Sequence, residues 1–267
     1  MVCTVAEARI LDTLIYDHLI IQNPRQETAR FHKDVHNEFE LLYFLNGNAT
    51  YIIEDKQYKL KRHDLVIIHP SRYHYIRIDD DSNYERCNLP VPFSALSREL
   101  IDRIPRDLEV INCEHHTRIA EIFQKMDDYI ELGTDVFLDL FPGLLKEILY
   151  NAIYAAEKSA APTAHVSPIV SQALAYINEH LYTLESIEEI SSALFVTENY
   201  FFRAFKKQMK ISPKKYITNK RLLAAQKRII AGERPTEVYL ACGFHTYIAF
   251  YKRYLDFFGY PPSEDKP

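Results

Sequence analysis

One pattern occurs twice in the last third of this chain, and it constrains the fold more than any other feature. Its first copy is Phe201-x-Arg203-x-Phe205, followed by Ile211-Ser212-Pro213. The second, 49 residues later, is Phe250-x-Lys252-x-Tyr254, followed by Gly259-x-Pro261-Pro262. A short apolar helix and a turn precede each cluster, and a proline stands eight residues after each second aromatic. Side chains at i and i+4 lie on one helical face, so each cluster reads as a helix with its rings turned inward. Ser212-Pro213 is predicted to open a long helix running to about Ala231, with the proline tolerated in the first turn and Gly232 at the end. Two helix-turn-helix units joined by one long helix account for the repeat.

The charge follows the repeat. A net charge of −5 averages two unlike halves: residues 1–164 carry 18 Lys+Arg against 27 Asp+Glu, and residues 165–267 carry 14 against 10. Within 197–253 the balance is 13 basic to 3 acidic, so a polyanion would meet a cationic surface there. For a single unit, a merely solvated basic face would explain this. Two units with matching spacing, a connecting helix and concentrated charge argue for double-stranded DNA as the partner.

The remaining totals set bounds. A chain of 267 residues, 47% apolar, is long enough for two domains with cores and too apolar for disorder. No apolar run approaches the ~20 residues of a membrane span. The N-terminus mixes acids with its apolar residues and has no basic leader, so no export signal is expected and the cytoplasm is the expected compartment. Cys3, Cys87, Cys113 and Cys242 lack metal-ligand spacing and read as free thiols of a reducing compartment.

From Phe39 to Glu85 the hydrophobic period is that of strands. EFELLYFL, ATYIIED, QYKLKRHD, LVIIHP and YHYIRID are short segments separated by polar turns, with Asn46-Gly47 as a hairpin signal. After His115 the period becomes helical over 119–130 and again over 137–152, with Pro142 predicted to start or kink the second helix. The expected fold class is α+β: an N-terminal antiparallel β-barrel or jelly roll with a helical pair, then an all-α double helix-turn-helix. The expected domains are residues 1–156 and 169–267, joined by a small, polar, proline-containing linker at 157–168.

In a helix-turn-helix the second helix enters the major groove, and its early residues meet base edges. Those residues are Thr197, Glu198, Asn199 and Arg203 in the first unit, and His245, Thr246, Tyr247 and Lys252 in the second. Asn and Arg can pair with adenine and guanine edges, and Thr or Tyr with thymine methyls or phosphates. Lys206 and Lys207 are placed for the backbone, which supplies affinity without sequence information.

Residues 169–262 resemble the DNA-binding domain of AraC-type transcription regulators. The resemblance is carried by FFRAFKKQMKISPKKYITNKRLLAAQKRIIAG and by ACGFHTYIAFYKRY with FGYPP. It implies two motifs in successive major grooves, held by the connecting helix, and it carries DNA contact over to Thr197, Asn199, Arg203, His245, Thr246 and Lys252. The chain departs from the pattern at four places. Lys210 replaces a glycine, Leu255-Asp256 replaces a lysine pair, Tyr239 replaces a small residue, and Ser263-Glu264-Asp265 stands where a Tyr-Arg pair is expected. The first motif is therefore expected to dominate affinity and specificity.

His36-x-Glu38-x-Glu40 and the segment Asp64 to His69-Pro70 to His74 resemble the two cupin motifs, with Glu38 at one histidine position and one extra residue before His74. The resemblance implies a cupin-like domain that binds a small effector. A pocket of His36, Glu38, Glu40, Tyr43, Tyr51, His69 and His74 suits a polyhydroxylated ligand such as a sugar, since carboxylates and imidazoles bridge hydroxyls and aromatic faces cover C–H surfaces. Tyr43 and Tyr51 as plain sheet core is the competing reading. No cofactor is expected, and whether the histidines hold a metal is left open. The family also implies a homodimer through the helical pair, with RNA polymerase as a candidate partner. The expected function is a ligand-responsive transcription regulator and not an enzyme; the alternative is a metal-dependent cupin enzyme fused to a DNA-binding domain.

Overall fold

A computed structural model describes residues 1–10, 13–27, 31, 34–91, 95–156, 164–165 and 167–265. The chain divides into two compact units. One is Met1–Asp34, Glu38–Ile53 and Gln57–Ala164; the other is Val35–Asn37, Glu54–Lys56 and His165–Pro267. The expected linker falls mostly on residues 157–163 and 166, which lie outside the described residues.

The first unit is built on strands β1 (Val2–Ile10), β2 (Thr13–Ile21), β3 (Phe39–Asn46), β4 (Ala49–Ile53), β5 (Lys56–Lys59), β6 (Asp64–Ile68), β7 (His74–Ile78), β8 (Tyr84–Val91), β9 (Val110–Asn112) and β10 (Ala164–His165). They form a six-stranded sheet in the order β1-β2-β8-β3-β6-β9 and a four-stranded sheet in the order β10-β5-β4-β7. Among the described residues the strands thus make two sheets and not one closed ring. Asn46 ends β3 and Gly47, at φ 124°, makes the hairpin turn that Asn-Gly signalled. Sequence reasoning missed β1 and β2, which pair antiparallel and attach to β8.

The two-residue period of the strands divides the first unit into two cores. Leu19, Ile21, Leu42, Phe44, Tyr51, Ile53, Val66, Ile68 and Tyr84 pack between the sheets. Phe39, Leu41, Tyr43, Leu65, Ile67, Cys87 and Leu89 point the other way and pack under helices. Those helices are α1 (Arg98–Arg103), α2 (Thr117–Leu132) and α3 (Thr134–Ala156), with Gly133 at φ 151° between the last two. Of the two alternatives expected at Pro142, a helix start is overturned: α3 begins eight residues earlier, at Thr134, and Pro142 lies inside it. Proline removes one backbone hydrogen bond, and the burial of Phe137, Phe141, Leu145, Ile148 and Leu149 outweighs that loss.

The second unit is helical: α4 (Pro168–Glu179), α5 (Ile187–Ala193), α6 (Glu198–Met209), α7 (Pro213–Ile230), α8 (Pro235–Ala241) and α9 (Tyr247–Phe258). Four of the six starts are capped by a side chain, and α4 and α8 open on a proline instead. Ser186 and Glu189 form a reciprocal capping box, and Thr197, Ser212 and Thr246 each accept a backbone N–H in the first turn of α6, α7 and α9. Lys210 ends α6 at φ 57°, in the left-handed region that the missing glycine would occupy without strain. Among the described residues no helix is long and apolar enough to cross a membrane, and the four cysteines are free thiols.

Candidate functional site

The α6 and α9 helices are amphipathic in the same register. On α6, Phe201, Phe205 and Met209 are buried, while Asn199, Phe202, Arg203 and Lys206 form an exposed stripe at i, i+3, i+4 and i+7. On α9, Phe250 and Tyr254 are buried and the corresponding stripe is Ile248, Tyr251, Lys252 and Leu255. Of the residues expected to meet DNA, Thr197, Glu198, Asn199, Arg203, Lys206, Lys207, His245, Thr246 and Lys252 are exposed, and Tyr247 is half-buried against Tyr239 at 5.7 Å. Thr197 and Thr246 use their hydroxyl oxygens to cap the helices, so their role in positioning is settled before any base contact. Tyr239, the departure in α8, packs its ring against Tyr247 and Phe250 and so belongs to the core of the second motif. Leu255 was noted only as a lost lysine, and Phe202, Ile248 and Tyr251 were overlooked; laying one helix over the other at the 49-residue offset along the whole stripe would have found them.

The two motifs are joined by Arg221, on α7. Its guanidinium donates to the carbonyl oxygens of Leu181 (2.7 Å) and Leu184 (2.5 Å) before the first motif, and of Gly243 (2.8 Å) in the turn of the second. Burial pulls its pKa below the usual arginine range, and three carbonyls at the prongs of a rigid fork satisfy the charge. Gly243 sits at φ 79°, and a Cβ there would lie 2.6 Å from the Tyr182 carbonyl and 2.8 Å from the Arg221 guanidinium carbon. Beside this clamp a cleft of about 340 Å³ is lined by Lys214, Arg221, His245 and Arg253. His245 thus lines a cleft beside α7 and lies off the outward stripe of α9.

In the first unit the strand period decides which expected ligand residues share a face. Tyr51 and Glu40 point between the sheets; Tyr43 does not. It stacks on Phe123 of α2, with ring centroids 4.6 Å apart, and shares a hydrogen bond with the His63 ring. Adjacent residues of β3 face opposite ways, so Tyr43 and Glu40, an odd number of residues apart, cannot line one pocket. Nor does His69 join them: its ring donates to the Leu108 carbonyl at 3.0 Å and packs against Phe39, and burial lowers its pKa. Glu38 is exposed.

Two of the expected residues do come together within this unit. His74 Nε2 lies 3.2 Å from a Glu40 carboxylate oxygen. The Tyr51 ring stacks on His74, and His74 Nδ1 donates to the Arg72 carbonyl at 2.9 Å. Both His74 ring nitrogens therefore face oxygen acceptors. A divalent cation between Nε2 and Glu40 would suit the same geometry, since imidazole and carboxylate are common ligands and the Nδ1 bond would orient the ring. The chemistry of this pair fits a metal.

Further along the inter-sheet face, sequence reasoning missed Asp17, Arg86 and Asn88. Asp17 and Asn88 are register partners on β2 and β8, and the Arg86 guanidinium lies 2.5 Å from the Asp17 carboxylate. Burial opposes the Arg86 charge, but Asp17 beside it raises its pKa above the ordinary value. Asn88 is 8% exposed, and its side-chain oxygen is buried without a hydrogen-bond partner among the described residues. A buried acceptor left unmatched costs about 1–3 kcal/mol.

Comparison with known proteins agrees with both halves. The profile of an AraC-like ligand binding domain matches residues 19–133, and that of a helix-turn-helix domain matches residues 190–266. The probable transcriptional regulator LumQ of Photobacterium leiognathi is 34% identical over 33% of this chain and 36% of its own length. The HTH-type transcriptional regulator YobQ of Bacillus subtilis is 26% identical over 91% of this chain and 92% of its own. Among solved structures, ToxT from Vibrio cholerae O395 covers 93% of this chain and 95% of its own at 13% identity, with a TM-score of 0.39. A ligand-binding β domain followed by a capped, clamped pair of DNA-recognition motifs is the organisation of one family, and this chain belongs to the AraC-type transcription regulators.

Proposed function

We propose that this regulator binds operator DNA sequence-specifically through α6 and α9, and that a small polyhydroxylated molecule of the sugar class, entering between its N-terminal sheets, alters that binding. In this reading residues 1–156 sense the ligand, 157–168 link, and 169–267 bind DNA in the cytoplasm. The sensing half rests on the buried, unmatched Asn88 oxygen beside the Asp17–Arg86 pair. A ligand hydroxyl that donates to Asn88 relieves an existing cost, so ligand binding favours one conformation of the domain over others. Leu140, Tyr150 and Tyr154 are exposed apolar residues on α3, which supports a homodimer formed through the helical pair.

The DNA half is tested by salt titration. Lys206→Ala with Lys207→Ala is expected to weaken binding to every duplex sequence, with the slope of log K against log salt reduced by roughly 0.9 for each phosphate no longer neutralised. Wild-type binding by this variant at all salt concentrations would remove α6 from the DNA interface.

The sensing half is tested by Asn88→Leu, which removes the unmatched oxygen while keeping the branched shape of the side chain. The ligand-free protein should be at least as stable as wild type, whereas its melting shift with a panel of mono- and disaccharides should vanish and its DNA binding persist. A panel response unchanged by the substitution would exclude this face. The Glu40 and His74 pair favours a second reading, a divalent cation that either anchors the ligand or serves hydrolytic or oxidative chemistry. Metal analysis of purified protein and of Glu40→Gln separates the two readings.

A further inference from the structure

We propose that α9 reads thymine, laying an apolar stripe against C5-methyl groups in the major groove. This rests on the assignment of α6 and α9 to DNA made above. The stripe is Ile248, Tyr251 and Leu255, spaced i, i+3 and i+7 on an exposed face that adjoins buried Phe250 and Tyr254. Ile248 is 70% exposed, Tyr251 37% and Leu255 39%. At the corresponding positions α6 has Asn199, Phe202 and Lys206. Arg203 of α6 and Lys252 of α9 also correspond, so the two helices share one cation and differ in the rest of the stripe.

Large apolar side chains grouped on one exposed helical face mark a surface that something covers. The surrounding charge indicates what. Within 197–253 there are 13 basic residues and 3 acidic ones, which favours a polyanion over a neutral or basic protein surface. The thymine methyl is the apolar group that a base pair offers in the major groove; the other groups at the base edges are hydrogen-bond donors and acceptors. A helix with Ile248 and Tyr251 in its first five residues, where base contacts are made, therefore gains most from thymine. Phe202 of α6, 39% exposed with the Lys206 ammonium 5.9 Å from its ring centre, supplies one such contact among polar neighbours. The half-site under α6 is then of mixed composition and the half-site under α9 thymine-rich. Leu255 in place of a lysine thus changes what the second motif reads, beyond weakening its hold on phosphate.

The experiment uses the full chain and a duplex that the wild-type protein selects from a random pool. Its two halves are assigned by the base pairs at which Arg203→Ala and Lys252→Ala lose preference. Thymines in each half are then replaced by deoxyuridine, which removes only the methyl group. In the half under α9, affinity is expected to fall about fourfold for each contacted methyl, the factor for exposing one carbon group. Ile248→Ala, at a solvent-exposed position, should lose the discrimination at the methyl that Ile248 covers, and Tyr251→Phe should keep the discrimination. Equal wild-type binding to both duplexes, with normal salt dependence, would overturn the thymine reading and leave the DNA assignment standing. No salt-dependent binding to either would overturn the DNA assignment itself. Indifference to deoxyuridine, combined with a self-associated species that Ile248→Ala dissolves, would assign the stripe to a protein partner and overturn the inference.

Discussion

Asp127→Ala is expected to lower the unfolding free energy by about 3–5 kcal/mol, the range for removing one member of a buried ion pair. Asp127, on α2, is 8% exposed. It accepts from the Tyr16 hydroxyl at 2.6 Å and pairs with His18 Nδ1 at 2.7 Å, both on β2. The other His18 nitrogen lies 3.2 Å from Glu85 on β8. Burial works against charge on His18, but the Asp127 hydrogen bond raises its pKa to about 11, so the imidazole stays cationic through the neutral range. Truncating Asp127 strands that cation and the Tyr16 hydroxyl beneath α2. Urea unfolding should show the loss as a lower midpoint at an unchanged slope. Replacing both partners with leucine should recover most of it, because an apolar pair leaves no stranded charge. A loss below about 1 kcal/mol for Asp127→Ala would show that the cluster is not the clamp it resembles.

The same cluster sets a pH dependence. The folded pKa of His18 lies above its unfolded value, so its contribution is fully present below about pH 6.5 and falls as pH rises toward the folded pKa of about 11. Between about pH 6.5 and 8, below the range of unfolded-state thiols and phenols, wild type should lose stability relative to His18→Gln at up to about 1.4 kcal/mol per pH unit. Because α2 and α3 are the proposed dimer surface, weakening this anchor should also blunt any response passed from the sheets to the helices.

Arg221→Ala is expected to cost about 2–4 kcal/mol of stability, and more in DNA recognition. Three carbonyls lose a charged donor at once. The loss also releases the Gly243 turn from the Leu181–Leu184 segment, so α6 and α9 are no longer held at one spacing. Binding to a duplex with both half-sites should fall by at least tenfold, while binding to the half under α6 alone should change little. Arg221→Lys should not rescue it, since one ammonium cannot reproduce a planar fork to three acceptors. Full-site binding at wild-type strength by Arg221→Ala would mean that α7 packing alone fixes the spacing.

The helical half was legible from residues close in sequence. Caps at Ser186, Thr197, Ser212 and Thr246, the helical period of Phe201, Phe205 and Met209, and the 49-residue repeat all act within a few turns of chain. Local physics therefore determines the two motifs and their exposed faces. The strands of the β unit were partly legible for the same reason, through alternation and the Asn46-Gly47 turn, although β1 and β2 escaped. Which side chains meet was another matter. His18 and Asp127 are 109 residues apart, Asp17 and Arg86 are 69 apart, and Arg221 reaches carbonyls up to 40 residues away. Such meetings depend on strand register and helix packing, and one step of register moves a residue to the opposite face, as it did for Tyr43 against Glu40. By itself the sequence determined the family, the two helix-turn-helix motifs and the positive charge concentrated on them. Tertiary structure alone decided the α2 anchor, the Arg221 clamp and the unmatched Asn88 oxygen, because each joins groups that only the closed fold brings within hydrogen-bonding reach.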